Sequence, residues 1–153
     1  MDNLFNGVAS IVEMSNSHLV FWLTIVGTFS LLVGSFLNVV IYRLPIMIDP
    51  KRRKLAGETF NLSKPDSHCP KCDAKIKAWQ NIPILSWVVL RGRCYDCDTP
   101  IPYRYPLIEF LVALLSVLIA YFLGPTLFCL ISILACWFIF TAAVISLDQV
   151  IKN

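Results

Sequence analysis

Residues 19–42 read LVFWLTIVGTFSLLVGSFLNVVIY, a stretch without one charged side chain. A helix rises 1.5 Å per residue, so about 20 apolar residues cross the ~30 Å hydrocarbon core of a bilayer. The stretch reads as a membrane span. Its uncharged run is too long for the core of a signal peptide, and no Lys or Arg precedes it, so it is expected to be retained. Two further runs behave alike. Residues 105–123, YPLIEFLVALLSVLIAYFL, are interrupted only by Glu109, and residues 127–147, LFCLISILACWFIFTAAVISL, carry no charge. The composition agrees, with 57% hydrophobic and only 15% charged residues in 153, against about a quarter charged in a soluble domain. The fold class is therefore an all-α integral membrane protein with about three transmembrane helices.

The cationic residues set the expected orientation. Of 13 Lys and Arg, all lie between Arg43 and Arg104 except Lys152. Residues 1–18 contain only Asp2 and Glu13 as charges, and the link Gly124-Pro125-Thr126 contains none. The positive-inside rule then places 1–18 outside as an external N-terminal segment, 43–104 in the cytoplasm as a loop, and 148–153 in the cytoplasm as the C-terminus.

That loop holds two Cys-x-x-Cys pairs, Cys69/Cys72 and Cys94/Cys97, with 21 residues between them. A reducing cytosol disfavours disulfides, and the spacing is that of a zinc ribbon, in which each pair closes a tight turn and gives two thiolates to one tetrahedral ion. Lys71 and Arg93 would ease thiolate formation. Zinc also offers folding free energy to a loop with little core of its own. Free or redox-active thiols are the alternative. His68 precedes Cys69, but four thiolates complete the site without it, and it is expected on the surface. Cys129 and Cys136 share a face of the third span and read as buried, inert side chains.

Residues 79–90, WQNIPILSWVVL, are too apolar for a solvated loop and too short and Pro-broken to span. They fit a segment at the membrane interface with Trp79 and Trp87 at headgroup depth, or a small core packed on the metal site. The cluster Lys51-Arg52-Arg53-Lys54 suits contact with membrane lipid; no nucleic acid is expected as a partner. Within the spans, Asn38 is expected to join helices. Glu109 is expected to be satisfied by Arg104 or by Asn38. No phosphate-cradling glycine loop, histidine–carboxylate array or nucleophilic serine motif appears.

Several motifs follow one another in a recognisable order. They are Gly34-Ser35-Phe36-Leu37-Asn38-Val39-Val40-Ile41-Tyr42-Arg43-Leu44-Pro45, the first cysteine pair, Asn81-Ile82-Pro83-Ile84-Leu85-Ser86-Trp87, Leu90-Arg91-Gly92-Arg93-Cys94, and Ile101-Pro102-Tyr103-Arg104-Tyr105-Pro106-Leu107-Ile108-Glu109. Together they resemble the N-terminal half of the type IV prepilin leader peptidase/N-methyltransferases. The resemblance implies a bacterial inner-membrane enzyme that cuts the leader from prepilins or pseudopilins on the cytoplasmic side. It implies methylation of the new N-terminus with S-adenosylmethionine, a reaction linked to the loop and to Gly92. It also implies two membrane-border aspartates, one acting as base while the other donates a proton, the second in a Gly-x-Gly-Asp motif. A part for Glu109 in methyl transfer is the alternative to its structural role.

The sequence departs from that pattern at its end, Val144-Ile145-Ser146-Leu147-Asp148-Gln149-Val150-Ile151-Lys152-Asn153. Aligned without a gap, Ser146 replaces the first catalytic aspartate and Asp148 matches a neighbouring acid. With one residue deleted, Asp148 is the first catalytic aspartate. No Gly-x-Gly-Asp motif is present, so the chain is expected to be an incomplete N-terminal half without autonomous peptidase activity, with a second chain as a candidate source of the rest. The rival expectation is a non-enzymatic membrane adaptor or remnant whose zinc loop binds a partner. A membrane thiol oxidoreductase ranks below both, since it needs one reactive cysteine pair rather than two matched ones.

Overall fold

The computed structural model describes residues 2–57 and 60–152, and for 2–17, 56 and 152 the backbone alone. Its helices are α1 (Asp2–Ile48), α2 (Pro50–Ala56), α3 (Leu85–Val89), α4 (Arg104–Leu123) and α5 (Leu127–Lys152), with a 3₁₀ turn at Ala78–Asn81. Three segments are long and apolar enough to cross a membrane: His18–Ile48, Arg104–Leu123 and Leu127–Ile151. The three runs read from the sequence fall inside them.

Helix limits are less legible than spans. α1 begins at Asp2 and continues past Tyr42 through Pro45 to Ile48. What ends α1 is Pro50, whose ring pushes the preceding Asp49 out of the helical region to φ −77°, ψ 113°. The freed Asp49 carboxylate then accepts from the amides of Lys51 and Arg52, at 2.9 and 3.3 Å, and so starts α2. At the other end of the chain α5 passes Leu147 without a break and reaches Lys152.

Apolar attraction does not hold helices together in lipid, because lipid tails are as apolar as leucine; close backbone approach and interhelical hydrogen bonds must do so. Here α1 and α4 run antiparallel in contact along their length. The Trp22 indole donates to the Ala120 carbonyl at 3.4 Å, and Asn38 donates to the Tyr105 carbonyl at 3.2 Å. Between these contacts the seam is made of small residues, with Ser30, Ala113, Ser116 and Ala120 all buried. At Gly34 the backbones come closest, since a Cβ there would lie 2.9 Å from the Glu109 Cα. A three-residue turn returns the chain into α5, and the Thr126 hydroxyl caps that helix by accepting from the Cys129 amide at 3.1 Å. α5 adds Cys129 and Ile133 to a cluster with Val26 and Ala120. Its Trp137 indole donates to Ser116 Oγ at 2.9 Å. The outward faces expose Phe21, Phe29, Leu32, Leu118 and Phe138, as a lipid-immersed surface requires.

Substitutions at two glycines of the seam should therefore differ. Gly34→Ala drives a methyl against backbone and should cost about 1–3 kcal/mol. Gly27→Ala meets only a Val117 methyl at 3.3 Å, and the better helix propensity of alanine offsets about 1 kcal/mol of that. Thermal unfolding of the two variants in the same detergent checks the order.

Candidate metal centre

Each cysteine pair sits on the same local fold. In the first, the Cys69 amide donates to the Ala74 carbonyl and the Asp73 amide to the Cys69 carbonyl, both at 2.9 Å. In the second, the Cys94 amide donates to Thr99 at 2.8 Å and the Asp98 amide to Cys94 at 3.1 Å. Isolated bridges His68–Lys75 and Arg93–Pro100 close the two turns. Asp73 and Asp98, which directly follow the second cysteine of each pair, take φ of 59° and 54°. Asparagine and aspartate tolerate that region better than most residues. The two turns are thus copies of one knuckle.

They face each other so that all four Sγ atoms lie within 4.8 Å of one another. Cys69 and Cys97 are 3.8 Å apart, and Cys72 and Cys94 4.0 Å apart. A tetrahedral ion with Zn–S bonds of about 2.3 Å separates its sulfurs by about 3.8 Å. The donor set therefore fits one tetrahedral metal ion. The thiols are also unequal. The amides of Cys72 and then Lys71 hold the Cys69 thiol below its usual range. The Thr99 hydroxyl, then the Thr99 amide, lowers Cys97 to about 6. The Ala74 amide would lower Cys72 as well, but proton sharing with Cys97, burial, Cys69 and Cys94 outweigh it and push Cys72 up to about 12. Four close thiols cannot all ionise without a cation among them. His68 takes no part: its Nδ1 lies 3.1 Å from the Asp66 carbonyl and its Nε2 3.7 Å from the Asp73 carboxylate.

The second knuckle is held from behind by α3. The Gly92 amide donates to the Trp87 carbonyl at 2.8 Å, the Ile101 amide to the Gly92 carbonyl at 2.7 Å, and the Trp87 indole to the Ile101 carbonyl at 3.1 Å. Gly92 has φ of +66°, and a Cβ on it would lie 2.8 Å from the Trp87 ring. Only glycine satisfies both demands. Trp87 thus belongs to a small core behind the metal site, while Trp79 packs edge-on against Tyr95 of the knuckle with ring centres 5.7 Å apart. An open cleft of about 520 Å³ lies beside Gly92, lined also by Trp87, Arg91, Arg93, Ile101 and Tyr103.

Glu109 and Arg104 pair otherwise than the sequence suggested. Glu109, only 7% exposed, accepts through Oε2 from the Ile84 amide at 2.7 Å, in place of Arg104 or Asn38. Arg104 instead donates to the Asp148 carboxylate at 2.5 Å, and Asn38 donates to the Tyr105 carbonyl. Glu109 takes the Ile84 backbone amide, with the Ser35 side chain of α1 as a further donor. Ile84 has φ of 58°, a strained value for a β-branched residue. Arg43 escaped the sequence reading. It is 7% exposed, donates to the carbonyls of Asn61 and Pro65 at 2.8 and 2.7 Å, and stacks over Phe60. Its only signal in the sequence was its place as the first charge after a span. Cys129 is buried and Cys136 half-buried within α5.

Residues 28–123 match the profile of a protein family described as the bacterial peptidase A24 N-terminal domain. A prepilin leader peptidase/N-methyltransferase of Legionella pneumophila is 45% identical over 140 residues, covering 84% of this chain and 49% of the relative. One of Aeromonas hydrophila is 40% identical over 156 aligned positions, covering 94% of this chain and 54% of the relative. One of Neisseria gonorrhoeae is 53% identical over 106 residues, covering 61% and 37%. The chain thus spans about half the length of these curated relatives. No solved structure matches it.

Thiol ionisation gives a countable outcome for metal binding. A Cys97 thiol at about 6 is mostly thiolate at pH 7, whereas Cys72 at about 12 is fully protonated. Binding of one Zn²⁺ at pH 7 should therefore release at least one proton but fewer than four. Calorimetric titration with zinc in buffers of different ionisation enthalpy counts the protons.

Proposed function

The chain belongs to the family of the bacterial peptidase A24 N-terminal domain, and on that footing we propose that it serves the processing of prepilins or pseudopilins, chiefly the N-methylation that follows leader removal. The observation that carries this reading is Gly92. The resemblance ties it to methyl transfer, and it stands at the junction of the metal knuckle, Trp87 and an open cleft. In this reading Cys69, Cys72, Cys94 and Cys97 hold zinc as a structural ion, which fixes the loop. S-adenosylmethionine would supply the methyl group. The chain's own part is to hold the cleft open beside Gly92 and to keep the loop against the membrane, where the new N-terminus of a pilin emerges. We place the protein in the bacterial inner membrane, with residues 43–104 and the end of α5 in the cytoplasm, because the Lys and Arg residues gather there. α2, with four basic residues, suits anionic lipid.

Peptidase activity needs two carboxylates able to exchange a proton. Of the two in α4 and α5, Glu109 is engaged with Ile84 and Asp148 with Arg104, so neither serves as the other's partner. Asp148 remains the candidate peptidase acid of this half, and a second carboxylate would come from another part of the protein or from a second chain. In that setting Arg104 orients Asp148, and Asn38 fixes the start of α4 against α1.

Mass analysis of a pilin incubated with membranes that contain this chain tests the reading. Already cleaved pilin plus S-adenosylmethionine should gain the mass of one CH2 group, and Gly92→Ala should reduce that gain at least about tenfold, since a tenfold loss asks for only ~1.4 kcal/mol. No gain with the unaltered chain would favour a non-enzymatic adaptor whose zinc loop binds a partner. Removal of the leader from an uncleaved prepilin would show that Asp148 works with an acid this reading leaves out.

A further inference from the structure

We propose that α3 is embedded in the interface of the bilayer, with its aliphatic face among acyl chains and Arg91 and Arg93 on anionic lipid phosphates. α4 has 20 residues, about 30 Å of helix, which is no more than the hydrocarbon core it must cross. Glu109 lies five residues in from Arg104, hence about 7.5 Å along the helix axis. The Ile84 amide is fixed to the Glu109 carboxylate at 2.7 Å. The residue that opens α3 is therefore held at or below the level where α4 enters the membrane, and α3 cannot stand off the bilayer.

The faces of α3 agree with that level. Ile84 at its start faces Glu109, and Trp87 faces inward against Gly92. Leu85, Val88 and Val89, at helical spacing on a further side, are 63, 58 and 70% exposed. A carboxylate-anchored helix with three bare aliphatic side chains would be an exposed apolar face in water; at this depth it continues the lipid-facing surface of α4, where Leu107 and Phe110 are also exposed. Directly after α3 come Arg91 and Arg93, both exposed, and among the described residues neither has a carboxylate partner in a salt bridge. Their charge complements anionic headgroups. Nothing in this inference depends on which side of the membrane the loop occupies or on the methylation reading.

The test places the photoreactive residue p-benzoylphenylalanine at Val89, and separately at Leu85 in case one position disturbs folding, with Ser63 as an exposed loop control. The full chain is reconstituted in nanodiscs of phosphatidylcholine alone or with one part in four of phosphatidylglycerol. Illumination should give lipid-mass adducts at 89 or 85 and none at 63. In the mixed discs phosphatidylglycerol should exceed its share of adducts at least about threefold, and Arg91→Gln with Arg93→Gln should return it to its share. Absence of lipid adducts at both α3 positions, or adducts joining α3 to protein, would overturn the proposal. Adducts that follow the lipid mixture in the unaltered chain would overturn its anionic part.

Discussion

The bond from the Ile84 amide to the Glu109 carboxylate is the contact on which the loop's place in the molecule depends. A carboxylate at the centre of a span costs about 2.5–3.5 kcal/mol and less near the border. A β-branched residue at positive φ costs about 1–3 kcal/mol. A hydrogen bond to a charged group contributes about 1.5–3 kcal/mol. These terms are of one size, so neither the buried acid nor the strained backbone would persist alone. The one bond offsets part of both costs, and it fixes the cysteine loop to a membrane helix.

Two other features make that contact geometrically available. Gly34 lets α1 lie against the Glu109 backbone, which rigidly presents the carboxylate at the loop end of the bundle. On the loop side, Trp87 links α3 to Gly92, and Gly92 leads directly through Arg93 into the Cys94 knuckle. A metal ion held by the four cysteines would tie that knuckle to its copy at Cys69. The chain of contacts runs from bundle to carboxylate, to α3, to glycine, to metal. Arg43 fastens the loop a second time, through the carbonyls of Asn61 and Pro65. Arg104 with Asp148 joins α4 to α5 at the same end.

What the sequence made legible follows from strong, type-specific constraints. Bilayer thickness dictates span length, so all three spans could be read from uncharged runs. Tetrahedral thiolate binding demands four cysteines in two close pairs, so the cluster could be read from spacing. The bond from Ile84 to Glu109 could not, because its donor is a backbone amide 25 positions away, and every residue but proline has one. The pairing of Arg104 with Asp148, 44 positions apart, lay hidden for a related reason: several acids could have met that arginine. The ends of α1 are not legible in the uncharged run, because a helix that satisfies its own backbone need not stop at the lipid surface; it stops where Pro50 forces it to. An apolar run such as 79–90 does not say which of its side chains turn inward: Trp87 packs on Gly92 while its neighbours Leu85, Val88 and Val89 stay bare.

Hydrogen exchange on the zinc-loaded full chain, unaltered and with Glu109→Leu, addresses the central contact most directly. Loss of the carboxylate should speed exchange across 84–92 by about tenfold or more, while the amides of Cys69 and Asp73 in the first knuckle keep their protection. Unchanged exchange at Ile84 would contradict the account, and so would an equal loss of protection across both knuckles, since the loop would then owe its position to something other than Glu109.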